Sequence, residues 1–202
     1  SVLWELDEAV VKELVTSLTA MENIAKILKG RKIRNAVQLR DVLANGALFT
    51  NPEFQRTHLL DRIATVSKVK GLDRVLSKLT QKDYSSIKGA LYELQVAATY
   101  GDLVEALREE IEYVDKGGLK KTDIDIKLKD GTIIQAKAWA KVPYSRKVVE
   151  EFMGLIAKYR HKYPSAPIVF VFGCSEDLVD NRIKFILHQL NVTIKYLKYV
   201  GP

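Results

Sequence analysis

From Thr122 to Ala138 the chain alternates. Asp123, Ile124, Asp125, Ile126, Lys127 and Leu128 run polar, apolar, polar, apolar, and Ile134, Gln135, Ala136, Lys137 and Ala138 resume the pattern. A period of two over such a length predicts half-buried β-strands, and Lys129-Asp130-Gly131 between them predicts the turn of a hairpin. Elsewhere the spacing is helical or continuous. Leu3, Val10, Leu14, Met21, Ile24 and Leu28 recur at multiples of a helical repeat and predict a helix over 3–28. Further helices are expected over 35–44, from Asn51-Pro52 onward with Asn51 as cap, and over 72–79. Asp83 caps a fifth, which carries Glu93 and runs to residue 100. The pattern continues as helix over 103–110, gives a first strand at 111–114, then a loop with Lys116, Gly117, Gly118, Lys120 and Lys121. Beyond Trp139 it predicts a helix over 146–163 with Val149, Phe152, Met153, Ile156 and Ala157 inward. The unbroken apolar run 168–172 predicts a strand covered on both faces. A helix at 178–190 and a strand at 192–199 complete the chain. Strands alternating with helices predict an α/β class with a mixed sheet. An all-helical region, 1–80, would precede an α/β core, 81–202.

The hairpin register decides which side chains share a face. A two-residue loop at Asp130-Gly131 would put Asp125 and Gln135 on opposite faces. A three-residue loop, with Gly131 in the left-handed conformation of a bulge, sets Leu128 against Thr132, Asp125 against Gln135 and Asp123 against Lys137. The second register is preferred because it gathers Asp123, Asp125, Gln135 and Lys137 together. Such a cluster is either a solvated polar strand face or a site. As a site, its carboxylate and amide oxygens are hard donors for Mg²⁺ or Mn²⁺. The lysine beside them can orient a water or steady a phosphate charge.

The order D-(x9)-Q-x-K on a hairpin, with Glu93 on the helix before it, resembles the PD-(D/E)xK nuclease superfamily, the restriction-endonuclease-like fold that also includes Holliday junction resolvases. The resemblance covers roughly 85–199 and implies an αβββαβαβ core. It implies a divalent-metal-dependent deoxyribonuclease, with Asp125, Gln135 and Lys137 at the family's acidic, acidic and lysine positions. Asp125, Gln135, the Ala136 carbonyl and Glu93 would be metal ligands. Asp123 would either hold and tune Lys137 or ligate in its own right. Two positions depart from the family pattern. Ile124 stands where proline is usual, and Gln135 is neutral where Glu or Asp is usual, which implies weak metal affinity with Mn²⁺ favoured over Mg²⁺.

The 202 residues carry a net charge of +7, which favours an anionic partner. DNA is the partner that the resemblance implies. Lys116, Lys120, Lys121, Arg146 and Lys147 are the expected phosphate contacts, and the cluster Lys29, Arg31, Lys32 and Arg34 is either another or a solvated helix junction. The N-terminal helix either packs on its own domain or joins two copies in a homodimer. No apolar run reaches membrane-spanning length. The single cysteine, Cys174, excludes an internal disulfide, suits an intracellular, reducing, cytoplasmic setting, and follows a strand as a packed thiol would. His58, His161 and His188 lack partners at zinc spacing.

Overall fold

The computed structural model describes residues 33–202, with side chains from Gln38 onward. The helix expected over 3–28, its dimer contact, and the basic side chains of 29–34 lie outside the described residues. The chain divides into two compact units, one reaching to Asp102 and including Val200–Pro202, the other Leu103–Tyr199. The helix capped by Asp83 therefore falls in the first unit.

The described part of the first unit is helical: α1 (Ile33–Ala44), α2 (Arg56–Thr65), α3 (Leu72–Leu79) and α4 (Tyr84–Tyr100). Helix α1 packs on α3, and α2 and α3 pack on α4. The apolar faces supply the core, with Leu39, Leu59, Ile63, Val75, Leu91 and Leu94 almost fully buried. Asp83 caps α4 as its sequence position predicts, accepting from the Ser86 N–H at 3.1 Å. Asn51 also caps, accepting from the Glu53 N–H at 2.9 Å, but only a turn follows. That turn closes where the Phe54 N–H meets the Asn51 carbonyl at 3.0 Å, and Phe54 is buried. The helix expected there starts later, at Arg56.

The second unit is α/β. Its elements are β1 (Val104–Asp115), β2 (Gly118–Leu128), β3 (Ile133–Lys137), α5 (Arg146–Lys162), β4 (Ile168–Phe172), α6 (Asn181–Gln189) and β5 (Val192–Tyr196). The five strands form one sheet in chain order. β1, β2 and β3 pair antiparallel, and β3, β4 and β5 pair parallel, so the sheet is mixed. Helix α5 through Phe152, Ile156 and Tyr159, and α6 through Ile183 and Leu187, join one apolar cluster with Ile133, Phe170 and Phe172. All five residues of β4 are buried, as an unbroken apolar run requires.

Five further expectations are corrected. Residues 104–110 are strand, not helix. The apolar positions Val104, Leu107 and Ile111 imitate a helical repeat because the strand is irregular: its register shifts between Val104 and Ala106, and Arg108 takes a left-handed φ of 50°. The segment from Lys116 to Lys121 is not a loop. β1 and β2 continue to the Asp115–Gly118 pair, leaving Lys116 and Gly117 as the turn, and Lys120 and Lys121 pair with Tyr113 and Glu112. Helix α6 starts at Asn181 because Asp180 caps it, accepting from the Arg182 N–H at 2.9 Å, while β5 stops at Tyr196. On α5 the buried stripe is Phe152, Ile156 and Tyr159; Met153 and Ala157 face outward. No helix among the described residues is long and apolar enough to cross a membrane.

Candidate functional site

The β2–β3 hairpin has the three-residue loop. The ladder pairs Ile126 with Ile134 and Lys127 with Ile133. The Leu128 N–H donates to the Thr132 carbonyl at 2.9 Å, and the Gly131 N–H closes the turn on the Leu128 carbonyl at 2.9 Å. Gly131 holds a φ of 93°, which a residue with a Cβ rarely adopts. Asp130 braces the turn, accepting from the Thr132 N–H at 2.9 Å, and that bond holds its carboxyl below the usual range. One residue further along this register, Asp125 stands across from Gln135.

Asp123, Asp125, Gln135 and Lys137 accordingly line one open cleft of about 700 Å³, closed on its other side by Glu150, Glu151, Leu155 and Lys158 of α5. Asp125 and Gln135 are the buried pair, 8% and 6% exposed. The Ala136 N–H donates to Asp125 Oδ2 at 3.0 Å, so one carboxylate oxygen is fixed by the neighbouring strand. Gln135 Oε1 accepts from the hydroxyl of Tyr159, a side chain with no solvent exposure. Lys137 Nζ lies 3.4 Å from Glu151 Oε1 and 5.3 Å from the centre of the Trp139 ring. Its strand is pinned at the end: the Gly173 N–H donates to the Lys137 carbonyl at 2.8 Å, and a Cβ on Gly173 would come within 3.1 Å of the Ala138 backbone.

The cleft is a lattice of opposite charges. Arg108 Nη1 lies 3.5 Å from Asp123 Oδ2, and Lys121 Nζ lies 3.2 Å from Glu110 Oε1. Lys158 Nζ stands 4.4 Å over the Tyr113 ring. Outside the cleft lining, Lys127 sits 3.5 Å from Glu109 and 4.2 Å over the ring of Tyr163, whose hydroxyl donates to Glu109 at 2.8 Å. Burial works against the Lys127 charge, but the Tyr163 hydrogen bond and the carboxylates of Glu109 and Glu105 prevail, and its pKa is raised.

Of the remaining sequence-predicted residues, Lys121 lines the cleft. Lys120 is held 3.0 Å from Asp115, and Lys116 is exposed at the hairpin turn. Arg146 and Lys147 are exposed at the start of α5, Arg146 paired with Glu150 at 2.8 Å. Glu93 belongs to the first unit, where it is buried within α4 at 4% exposure. Cys174 is buried, and that burial, followed by the nearby Asp177 charge, pushes its thiol pKa up, away from nucleophile range. Sequence reasoning missed Arg108, Glu110, Glu151 and Tyr159. Tyr159 sits seven residues after Phe152 and three after Ile156, a spacing that marks the buried stripe once Met153 is excluded.

Among the described residues no three His, Cys, Asp or Glu side chains gather as a metal-binding group. The donors that the hairpin offers are the Asp125 carboxylate, the Gln135 amide oxygen and the Ala136 carbonyl. All are oxygens, a set that fits a hard divalent cation and, with a single negative charge, holds it weakly. A scan against protein-family models finds no match. Searches of curated proteins and of solved structures find none either.

Proposed function

We propose that the chain is a divalent-metal-dependent DNA endonuclease of the PD-(D/E)xK type, with the restriction-endonuclease-like fold. The observation that carries this reading is the hairpin register. It gathers one buried carboxylate, one buried amide and one lysine, in the order Asp125, Gln135, Lys137, on the wall of an open cleft. The element order from Tyr84 onward, helix, three strands, helix, strand, helix, strand, supports it.

Asp125, Gln135 and the Ala136 carbonyl would hold Mg²⁺ or Mn²⁺. When bound, the ion supplies charge neutralisation at the scissile phosphate and a more acidic water. Asp125 is oriented for its part by the Ala136 N–H, and Gln135 by Tyr159. Lys137, kept beside the cleft by Glu151, orients the attacking water or offsets charge on the phosphate. Asp123, ion-paired to Arg108, borders Lys137 rather than standing alone. The proposal rests on the second unit; Glu93 enters it only through the family resemblance. Cutting both strands takes two such clefts at a fixed spacing, which a two-fold homodimer supplies.

The test is cleavage of plasmid, linear and four-way-junction DNA with Mg²⁺ or Mn²⁺. The parent should cut, and Lys137→Ala should bind but cut about 10²–10³-fold more slowly. A second reading, a nuclease fold that binds DNA without cutting it, draws on one observation: Gln135 is neutral and its oxygen is already engaged by Tyr159. Binding without cutting on every substrate and with both metals would select it.

A further inference from the structure

Arg108 is the strained residue of the cleft wall. Its φ of 50° lies in the left-handed region, which a side chain with a Cβ rarely adopts because the Cβ crowds the following carbonyl. The strain sits inside a strand, where an ordinary φ would complete the ladder. The ladder pairs Leu107 with Ile126 and Glu109 with Ile124, so Arg108 stands across from Asp125. Strict alternation would send Glu109 to the face opposite Arg108 and Glu110. Instead Arg108 and Glu110 line the cleft while Glu109 reaches Lys127, which shares the face of Asp125 and Asp123. The cleft wall therefore holds Arg108 and Glu110, with the Glu109–Lys127 pair outside its lining. The guanidinium is largely enclosed, its side chain 11% exposed, and Asp123, the carboxylate 3.5 Å from it, is 33% exposed.

We infer that Arg108 is a phosphate-binding residue of this cleft, set beside Asp125 by a backbone distortion that stability alone would remove. A planar guanidinium presents two parallel N–H donors to a phosphodiester as readily as to a carboxylate. Asp123 holds it in that orientation, and an arriving phosphate group takes over donors from a partly exposed ion pair, an exchange of one anion for another. Residues held in a strained backbone conformation recur at binding sites, where the surrounding structure fixes them. The inference deepens the nuclease reading and rests on its substrate class, a phosphodiester, while assigning a residue that the hairpin motif does not contain.

The decisive variant is Arg108→Gly, with Arg108→Asn beside it, because both replacements accept a left-handed φ. Three quantities are measured in the full chain without divalent metal: the melting temperature, the anisotropy of a short fluorescent DNA duplex, and the thermal shift given by inorganic pyrophosphate. A phosphate-binding role predicts that Arg108→Gly melts at the parent temperature or a few degrees above it. The same variant should bind the duplex roughly tenfold more weakly and lose the pyrophosphate shift. A variant that melts lower, or that binds duplex and pyrophosphate like the parent, overturns the inference. If the parent is stabilised by pyrophosphate through Arg108 but binds no duplex, the inference stands and the DNA reading falls. If the parent binds neither, the inference is overturned.

Discussion

Tyr159 donates its hydroxyl hydrogen bond to Gln135 Oε1 from the buried face of α5, so the neutral member of the hairpin cluster is oriented by a side chain with no solvent exposure. The bond joins the helix to the strand that carries the proposed ligands. It also defines what a carboxylate at position 135 would meet: a hydroxyl already aimed at its oxygen. Gln135→Glu should therefore fold, and should bind Mn²⁺ roughly tenfold or more tightly than the parent, since it adds a charged hard donor to a site with one. Titration calorimetry with Mn²⁺ measures this; equal affinity in the two proteins would place the ion elsewhere. Tyr159→Phe should cost about 1–2 kcal/mol in urea unfolding, because it strands a buried acceptor.

Asp125 has a structural duty besides the proposed catalytic one. Its Oδ2, on a buried side chain, accepts the partly buried Ala136 N–H at 3.0 Å. Asp125→Ala leaves that donor unpaired and should destabilise the chain by about 1–3 kcal/mol. Asp125→Asn keeps an acceptor in place and should stay near parent stability. Under the nuclease reading both lose cleavage. Activity in Asp125→Asn matching the parent, at matched folding, would remove Asp125 from the chemistry.

Gly173 makes the position of Lys137 a property of the sheet. A methyl group there meets Ala138 backbone at 3.1 and 3.2 Å, where little can yield. Gly173→Ala should push the end of β3 away from β4 and loosen Lys137. Its expected signature is a fall in cleavage rate larger than the fall in DNA affinity, read from the two assays side by side.

The hairpin was legible because two local signals agreed. Alternation marked the two strands and Asp130-Gly131 the turn between them, while two loop lengths fitted that turn; the three-residue loop, preferred because it gathers the polar side chains, is the one the ladder holds. The end of β1 was legible as the strand at 111–114, but its first half was not, for the opposite reason. Its alternation is interrupted after Val104 and again at Arg108, and the surviving apolar positions imitate a helix rich in glutamate. The irregularity that hid the strand is the one that brings Arg108 into the cleft. The helical side of the site was hidden differently. Glu151 and Tyr159 lie on α5 near ordinary surface and core positions, and only the packing of α5 on the sheet says which edge overlooks the hairpin. Nothing in the local sequence carries that long-range relation.

The cap of α4 gives a pH dependence whose sign can be fixed. Asp83 accepts from the Ser86 hydroxyl at 2.7 Å and from the Ser86 N–H, and these bonds lower its pKa from an ordinary 3.8. A carboxyl that is more acidic in the folded state contributes stability above its unfolded value. That contribution is lost as pH falls through 3.8 toward the folded value. Asp83→Asn retains a cap acceptor without a charge, so its urea midpoint relative to the parent should improve as pH drops through this window. A constant difference between the two proteins across the window would mean that the cap is not formed.

The last three residues are held by their main chain. The Val200 N–H donates to Gln95 Oε1 at 2.9 Å, Arg62 Nη1 donates to the Val200 carbonyl at 3.2 Å, Asn51 Nδ2 to the Gly201 carbonyl at 3.1 Å, and the Tyr84 hydroxyl to the Pro202 carbonyl at 2.9 Å. Gln95 and Arg62 are 7% and 9% exposed, so the groups that read the tail are themselves part of the helical interior. The Val200 side chain is exposed, so this clamp recognises backbone rather than side chain. Val200→Ala should leave stability within about 0.5 kcal/mol of the parent, whereas removing Val200–Pro202 should cost about 1–3 kcal/mol by taking a partner from buried Gln95 and Arg62. Urea unfolding of the two variants separates these effects. A deletion as mild as the alanine substitution would mean that water replaces the tail without loss.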